Sequence, residues 1–207
     1  MIKAICKSLC APCAALLLGG NALWLATDGF RALTEESARR LYAAQSRPEV
    51  PAFVLEDMDG RILRLGSGRG HDQKTTLVGF IYTTCPTICQ TSGSDFAKLR
   101  DRLKETRLHE HVRVLSLSFD PTRDDPRQMR LYADLHGADG TIWTIARLQA
   151  ATLSSVTGSF GVRVIPDGWG GYQHNAAIHV IDRKGRLTGI FDTDDHEGIL
   201  NAVRNAP

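Results

Sequence analysis

Two of the five cysteines in this chain stand where a strand is expected to run into a helix. Residues 77–82, Leu-Val-Gly-Phe-Ile-Tyr, form an apolar run that predicts a buried strand. Phe96, Leu99 and Leu103 then recur at helical spacing, with Lys98, Arg100, Asp101 and Arg102 between them. At the junction lies Cys85-Pro86-Thr87-Ile88-Cys89. A helix N-terminus offers unpaired N–H groups and positive potential, and both favour thiolate over thiol. Pro86 suits the first helical position, where no N–H partner is needed. As i and i+4 residues of one helix, Cys85 and Cys89 would share a face, with Cβ atoms roughly 5–6 Å apart. That layout lets two thiolates share a metal ion, and modest closure would allow a disulfide. Two other readings compete. Cysteines of this kind are often plain core residues. A structural zinc site would need four ligands, and only these two cysteines fall in the folded region.

The elements that must position this junction are legible in order. The chain has 207 residues, 43% hydrophobic and 23% charged, which suits one globular domain plus an appendage. A net charge of +2 with no basic patch argues against nucleic acid as a partner. Residues 51–65, PAFVLEDMDGRILRL, read as a β-hairpin about Asp59-Gly60. After the cysteine helix, Val112–Phe119 reads as a strand and Asp120–Pro126 as a loop. A helix through Met129, Leu131, Tyr132 and Leu135 follows, ended by Gly137. Thr141–Ile145 predicts a short strand, Thr152–Phe160 a short helix and Gly161–Tyr172 a glycine-rich loop. Ala176–Asp182 and Leu187–Phe191 form a closing hairpin, and His196–Arg204 a last helix. Strands alternating with helices predict an α/β layered domain.

The N-terminal part divides from this domain. Ser8–Ala26 carries no charge and follows Lys3 and Lys7, which predicts a membrane-anchor helix over residues 1–26. The competing reading is a cleaved signal segment with Gly20-Asn21-Ala22 as the small-x-small site. Both readings export the remainder: a linker over 27–47 with a helix from Thr34 to Ala44, then a domain over 48–207. Cys10-Ala11-Pro12-Cys13 is formally C-x-x-C, but with Cys6 it lies in or beside the apolar segment, away from any strand–helix junction.

Three blocks carry a resemblance. FIYTTCPTIC, with its C-x-x-x-C spacing, is similar to the T-x-C-P-x-x-C motif of the Sco/SenC family. LSFDPTRDDP resembles that family's S-x-D-P-x-x-D-x-P loop. HNAAIHVIDRKGRL resembles the strand that begins at the family's histidine and runs to a D-x-x-G turn. The resemblance covers about residues 48–205 and implies a thioredoxin-like fold with an N-terminal β-hairpin. It implies copper ligation by Cys85, Cys89 and His174, and it matches Asp120 and Pro121 to the loop. Four positions depart from the family pattern: Thr87, Gln90, Gln173 and Asn175. They bear on copper affinity and redox potential, because groups around metal ligands tune both.

The chemistry agrees with the resemblance. Thiolates suit Cu(I), and imidazole suits Cu(I) or Cu(II). Among the seven histidines, His71, His109, His111, His136 and His196 read as surface residues of loops and helix ends. His179 lies five residues after His174, so on one strand the two would face opposite ways. The resemblance therefore implies an exported copper chaperone that delivers copper to a haem–copper (cytochrome c) oxidase during assembly. Its expected partners are the oxidase subunit that carries a copper centre and another periplasmic copper carrier. Its expected place is the inner membrane, with the domain in the periplasm. The alternative is a thiol–disulfide oxidoreductase in which Cys85 and Cys89 cycle to a disulfide. A thiol peroxidase would need Pro at 78 and Thr at 82, where this chain has Val78 and Tyr82.

Overall fold

The computed structural model describes residues 2–67, 74–85 and 88–205; the side chains of 2–11, 13, 14 and 88–92 lie outside that description. The chain forms two compact units, residues 1–42 and 43–207.

The first unit contains helix α1 (Ile2–Ala26), with Pro12 inside it. Among the described residues no helix is long and apolar enough to cross a membrane. The expected anchor therefore has its helix but not the required span of described apolar residues. Helix α2 (Glu35–Ser46) starts where Thr34 caps it. The Ser37 amide donates to Thr34 Oγ1 at 3.1 Å, and the Thr34 amide donates to Ser37 Oγ at 3.0 Å.

In the second unit the expected N-terminal hairpin is β1 (Phe53–Asp57) and β2 (Ile62–Leu65). Its turn is held by Asp57, whose Oδ1 accepts from the amides of Asp59 at 2.9 Å and Arg61 at 2.8 Å. Gly60 takes the positive φ of 75° that the turn requires. Strand β3 (Thr75–Ile81) is buried along its whole length, as its apolar run demands. Then come α3 (Ile88–Glu105), β4 (Val112–Ser118), α4 (Pro126–His136), β5 (Trp143–Leu148) and α5 (Leu153–Ser159). The rest is β6 (Val164–Pro166), β7 (Tyr172–His174), β8 (Ile178–Ile181), β9 (Leu187–Phe191) and α6 (His196–Arg204). Seven strands form one sheet in the order β2-β1-β5-β4-β3-β8-β9. β3, β4 and β5 run parallel, as helical crossovers require; β1, β8 and β9 join antiparallel. The α/β expectation holds.

Helix α3 is seated on the sheet by one close approach. A methyl group on Gly79 would lie 2.1 Å from Cζ of Phe96, so the ring rests on bare backbone. Phe96 also meets the Trp143 ring at 5.8 Å, and the indole N–H donates to Ser116 Oγ at 2.9 Å. Helix α4 starts at Asp125, whose Oδ1 accepts from the Gln128 amide at 2.7 Å, and ends at Gly137 in the left-handed region.

Two expectations shift. The strand expected over Thr141–Ile145 begins at Trp143 and runs to Leu148. The Asp139 carboxylate accepts from the amides of Thr141, Ile142 and Trp143, which holds the preceding residues in a turn. The segment read as a glycine-rich loop contains a second, two-stranded sheet, β6 with β7. His174 therefore ends β7 and does not open β8. His179 lies on a different strand, so the alternation argument does not relate the two. The described part of α3 begins at Ile88, and Cys85 lies in the turn after β3; the shared face expected for Cys85 and Cys89 falls on residues outside the description.

Candidate metal centre

Cys85 sits four residues past the end of β3 and is 5% exposed. Its amide donates to the Tyr82 carbonyl at 3.3 Å, which closes a tight turn. Cys89 belongs to the first turn of α3, but its side chain lies outside the described residues, as do Pro86 and Thr87. The cysteine turn is thus carried by a buried strand on one side and by a helix N-terminus on the other. The N-terminal N–H groups of that helix supply the positive potential that favours thiolate.

His174 reaches the same region from the β6–β7 hairpin. Tyr82 and Tyr172 make the link. The Tyr172 amide donates to the Tyr82 hydroxyl at 3.3 Å, and that hydroxyl faces the Tyr172 carbonyl at 3.5 Å. Their rings meet edge to face at 5.3 Å. The Phe119 ring packs on Tyr82 and on Tyr172, each at 5.5 Å, and on the His174 imidazole at 5.1 Å. Tyr82, three residues before Cys85, and His174 therefore flank one phenylalanine.

The imidazole is unusual in its surroundings. Both ring nitrogens of His174 are buried, and neither has a hydrogen-bond partner among the described residues. Burial holds its pKa below the usual histidine value, so the ring is neutral at neutral pH. A neutral imidazole with an unshared lone pair is the form that binds a soft or borderline metal. Among the described residues no three His, Cys, Asp or Glu side chains cluster as a metal site, and the Cys89 thiol falls outside that set.

The other histidines divide differently from the expectation. His179 is wholly buried between Phe80 and Phe160, with Nδ1 at 3.2 Å from the Val78 carbonyl, and serves the core. His109 sets Nδ1 against the Leu103 carbonyl at 3.2 Å. His136 and His196 are not plain surface residues: Nε2 of each is buried, His136 packing on Gly93 and His196 lying 4.0 Å from Asp95. His71 lies outside the described residues.

Sequence reasoning missed Asp124. It is fully buried, 0% exposed. Its carboxylate accepts from the Thr83 amide at 3.0 Å, from Thr83 Oγ1 at 2.6 Å and from Ser118 Oγ. Burial pushes its pKa up, and the donors from Ser118 and Thr83 only partly offset that. Asp120, also buried, pairs with Arg123 and accepts from Thr122 Oγ1 at 2.9 Å. The signal was present: the seventh position of the S-x-D-P-x-x-D-x-P block is Asp124. Asn175, one of the departures, closes the base of the excursion that carries His174. Its Oδ1 accepts from the Arg163 amide at 2.8 Å, and its Nδ2 donates to the Gly161 carbonyl at 3.0 Å. Gln173 is exposed on β7, while the side chains of Thr87 and Gln90 lie outside the described set.

Comparison with known proteins agrees with this frame. A SCO1 protein homolog of Bacillus subtilis is 34% identical over 85 residues, covering 41% of this chain and 42% of that protein. The matches to curated relatives span 37–57% of those relatives' length. The structure of BsSco, described as a member of the Sco family of cytochrome c oxidase assembly proteins with a disulfide switch, superposes with a TM-score of 0.67. It is 21% identical, and the match covers 76% of this chain and 92% of that one. Arabidopsis thaliana ScoI with copper bound gives a TM-score of 0.63 at 21% identity, covering 74% of this chain and 97% of that one. These likenesses establish the thioredoxin-like α/β fold of Sco proteins. The model of the family described as SCO1/SenC matches residues 43–206, nearly all of the second unit, and the chain belongs to that family.

Proposed function

We propose that this protein is a copper chaperone that carries copper as cargo to a haem–copper oxidase during assembly. Cys85, Cys89 and His174 would be its ligands. The observation that carries the reading is the buried His174 imidazole, whose nitrogens have no described hydrogen-bond partner. Leaving such a group unpaired costs free energy, and a metal ion would satisfy one nitrogen. The donor set fits copper: two thiolates hold Cu(I), and an imidazole keeps the site competent for Cu(II). The names of relatives support the same cargo and partner, one being copper-bound and another an oxidase assembly protein.

In this mechanism the helix α3 N-terminus stabilises the thiolates, and burial excludes water and competing ligands. Handover would proceed by exchange of thiolate ligands with thiolates of the acceptor, so the ion is never released to solvent. Export, through an uncharged Ser8–Ala26 segment behind Lys3 and Lys7, would place the domain in the periplasm, attached to the membrane or after cleavage. We place the copper-binding domain at residues 48–207, behind a linker over 27–47.

A thiol–disulfide oxidoreductase would use the cysteines alone. Genetic complementation separates the two. In a strain lacking the native gene, His174→Ala should fail to restore oxidase activity if the protein delivers copper. Full restoration by His174→Ala would favour the reductase.

A further inference from the structure

The loop between β4 and α4 touches both halves of the site, and each half through a different residue. On the cysteine side, Asp124 receives both donors of Thr83, two residues before Cys85, and is itself held by Ser118 at the end of β4. On the histidine side, Arg123 reaches the hairpin that carries His174. Its Nη1 donates to the Gly170 carbonyl, and its guanidinium lies 5.2 Å from the centre of the Tyr172 ring. Its Nε is held at the same time by the buried Asp120 carboxylate. The loop is rigid from behind as well. Arg147, paired with Glu56 at 2.5 Å, donates to the Pro121 carbonyl at 2.9 Å. The Asp124 amide closes on the Asp120 carbonyl at 2.9 Å.

Two facts make this more than local packing. Among the described residues the β6–β7 sheet is separate from the main sheet, and no described strand ladder holds His174 against the cysteine turn. A carboxylate buried as deeply as Asp124 is costly unless every lone pair it turns inward is used, and here most of that use is spent on the turn before Cys85.

We propose that residues 120–124 form a spacer that sets the distance between the cysteine turn and the His174 hairpin, with Asp124 fixing the first and Arg123 the second. Both are positioning residues. The role in copper binding rests on the chaperone reading above, but the spacer itself does not. Arg123 is the partly exposed half, with 39% of its side chain accessible, so the histidine arm can open while the cysteine arm stays fixed. The hairpin would then carry His174 away from the ion during transfer, lowering its coordination to the two thiolates.

The test uses the full-length reduced chain, wild type against Arg123→Ala, Arg123→Lys and Asp124→Asn. Three quantities are read: amide hydrogen exchange over residues 164–174, iodoacetamide alkylation of Cys85 and Cys89 without metal, and the Cu(II) absorption spectrum with its affinity. Loss of charge-assisted hydrogen bonds of this kind should speed hairpin exchange in Arg123→Ala by about tenfold or more and weaken Cu(II) similarly. Its alkylation rate should stay within about twofold of wild type, and Arg123→Lys, which keeps the charge but not the fork, should fall between. Asp124→Asn should do the reverse, changing the alkylation rate while hairpin exchange stays near wild type. If that variant does not fold, Thr83→Val removes one of its donors and must change alkylation in the same way. Hairpin exchange unchanged in Arg123→Ala, or both arms loosening together in any folded variant, would overturn the proposal. A wild-type protein that binds no Cu(II) would refute the copper reading alone, since exchange and alkylation decide the spacer without metal.

Discussion

Replacing His174 by phenylalanine should make the metal-free protein more stable. Both ring nitrogens are buried and lack a described partner, and an unsatisfied buried polar group costs about 1–3 kcal/mol. Phenylalanine keeps a flat ring against Phe119 and removes both polar atoms; its extra volume takes back about 1 kcal/mol in strain. The net gain should be about 2 kcal/mol, or roughly 4–8 °C in melting temperature for a domain of this size. The gap should widen on acidification. The folded-state pKa of His174 is depressed, so below about 6.5 the unfolded wild-type chain binds a proton that the folded chain resists. Wild-type stability is lost as the pH falls through that window, and the variant has no such loss. The assay is urea unfolding of reduced, metal-free protein at pH 7.5 and pH 5.5. His179→Phe is the internal control: it gives up the contact with the Val78 carbonyl and should lose about 1 kcal/mol or more. If His174→Phe is destabilised as much as His179→Phe, the imidazole is an ordinary packed histidine and the ligand argument fails.

Other consequences can be checked directly. Asp124 has a raised folded-state pKa, so the folded chain holds its proton more tightly than the unfolded chain. Its contribution is therefore fully present below about pH 3.9 and is lost as the pH rises through the folded value. The stability of wild type relative to Asp124→Asn should fall from acid towards neutral pH in urea titrations, and a difference that rises instead would contradict the assignment. Gly79→Ala drives a methyl group into Phe96 and should cost about 1–3 kcal/mol. Phe96→Leu should recover part of that loss in the double variant, and strict additivity of the two changes in a thermal melt would deny the contact.

Much of this was readable in advance because local chemistry and tertiary contacts agree. Asp59-Gly60 made the hairpin, Gly137 ended α4, and the unbroken apolar run made β3 a buried strand. The β6–β7 sheet was not readable. Its strands have three residues each, and Pro166, Gly168, Gly170 and Gly171 punctuate them as a loop would be punctuated. Its stability comes from contacts no sequence period encodes: Asn175 at the base, Asp167 at the turn and Arg123 from another loop. For the same reason His174 was assigned to the wrong strand although the resemblance picked it out. Asp124 looked like one charge among several in a polar loop, because its burial depends on the Thr83 turn folding against it.

The central claim is that Cys85 and Cys89 hold copper together with His174. Its most direct test is Cu(I) binding by the reduced protein, measured by competition with a chromophoric Cu(I) chelator and by metal analysis after desalting. Wild type should retain one Cu(I) per chain, Cys85→Ser/Cys89→Ser should retain none, and His174→Ala should retain Cu(I) more weakly while losing Cu(II). Stoichiometric Cu(I) held by the double cysteine variant would contradict the account.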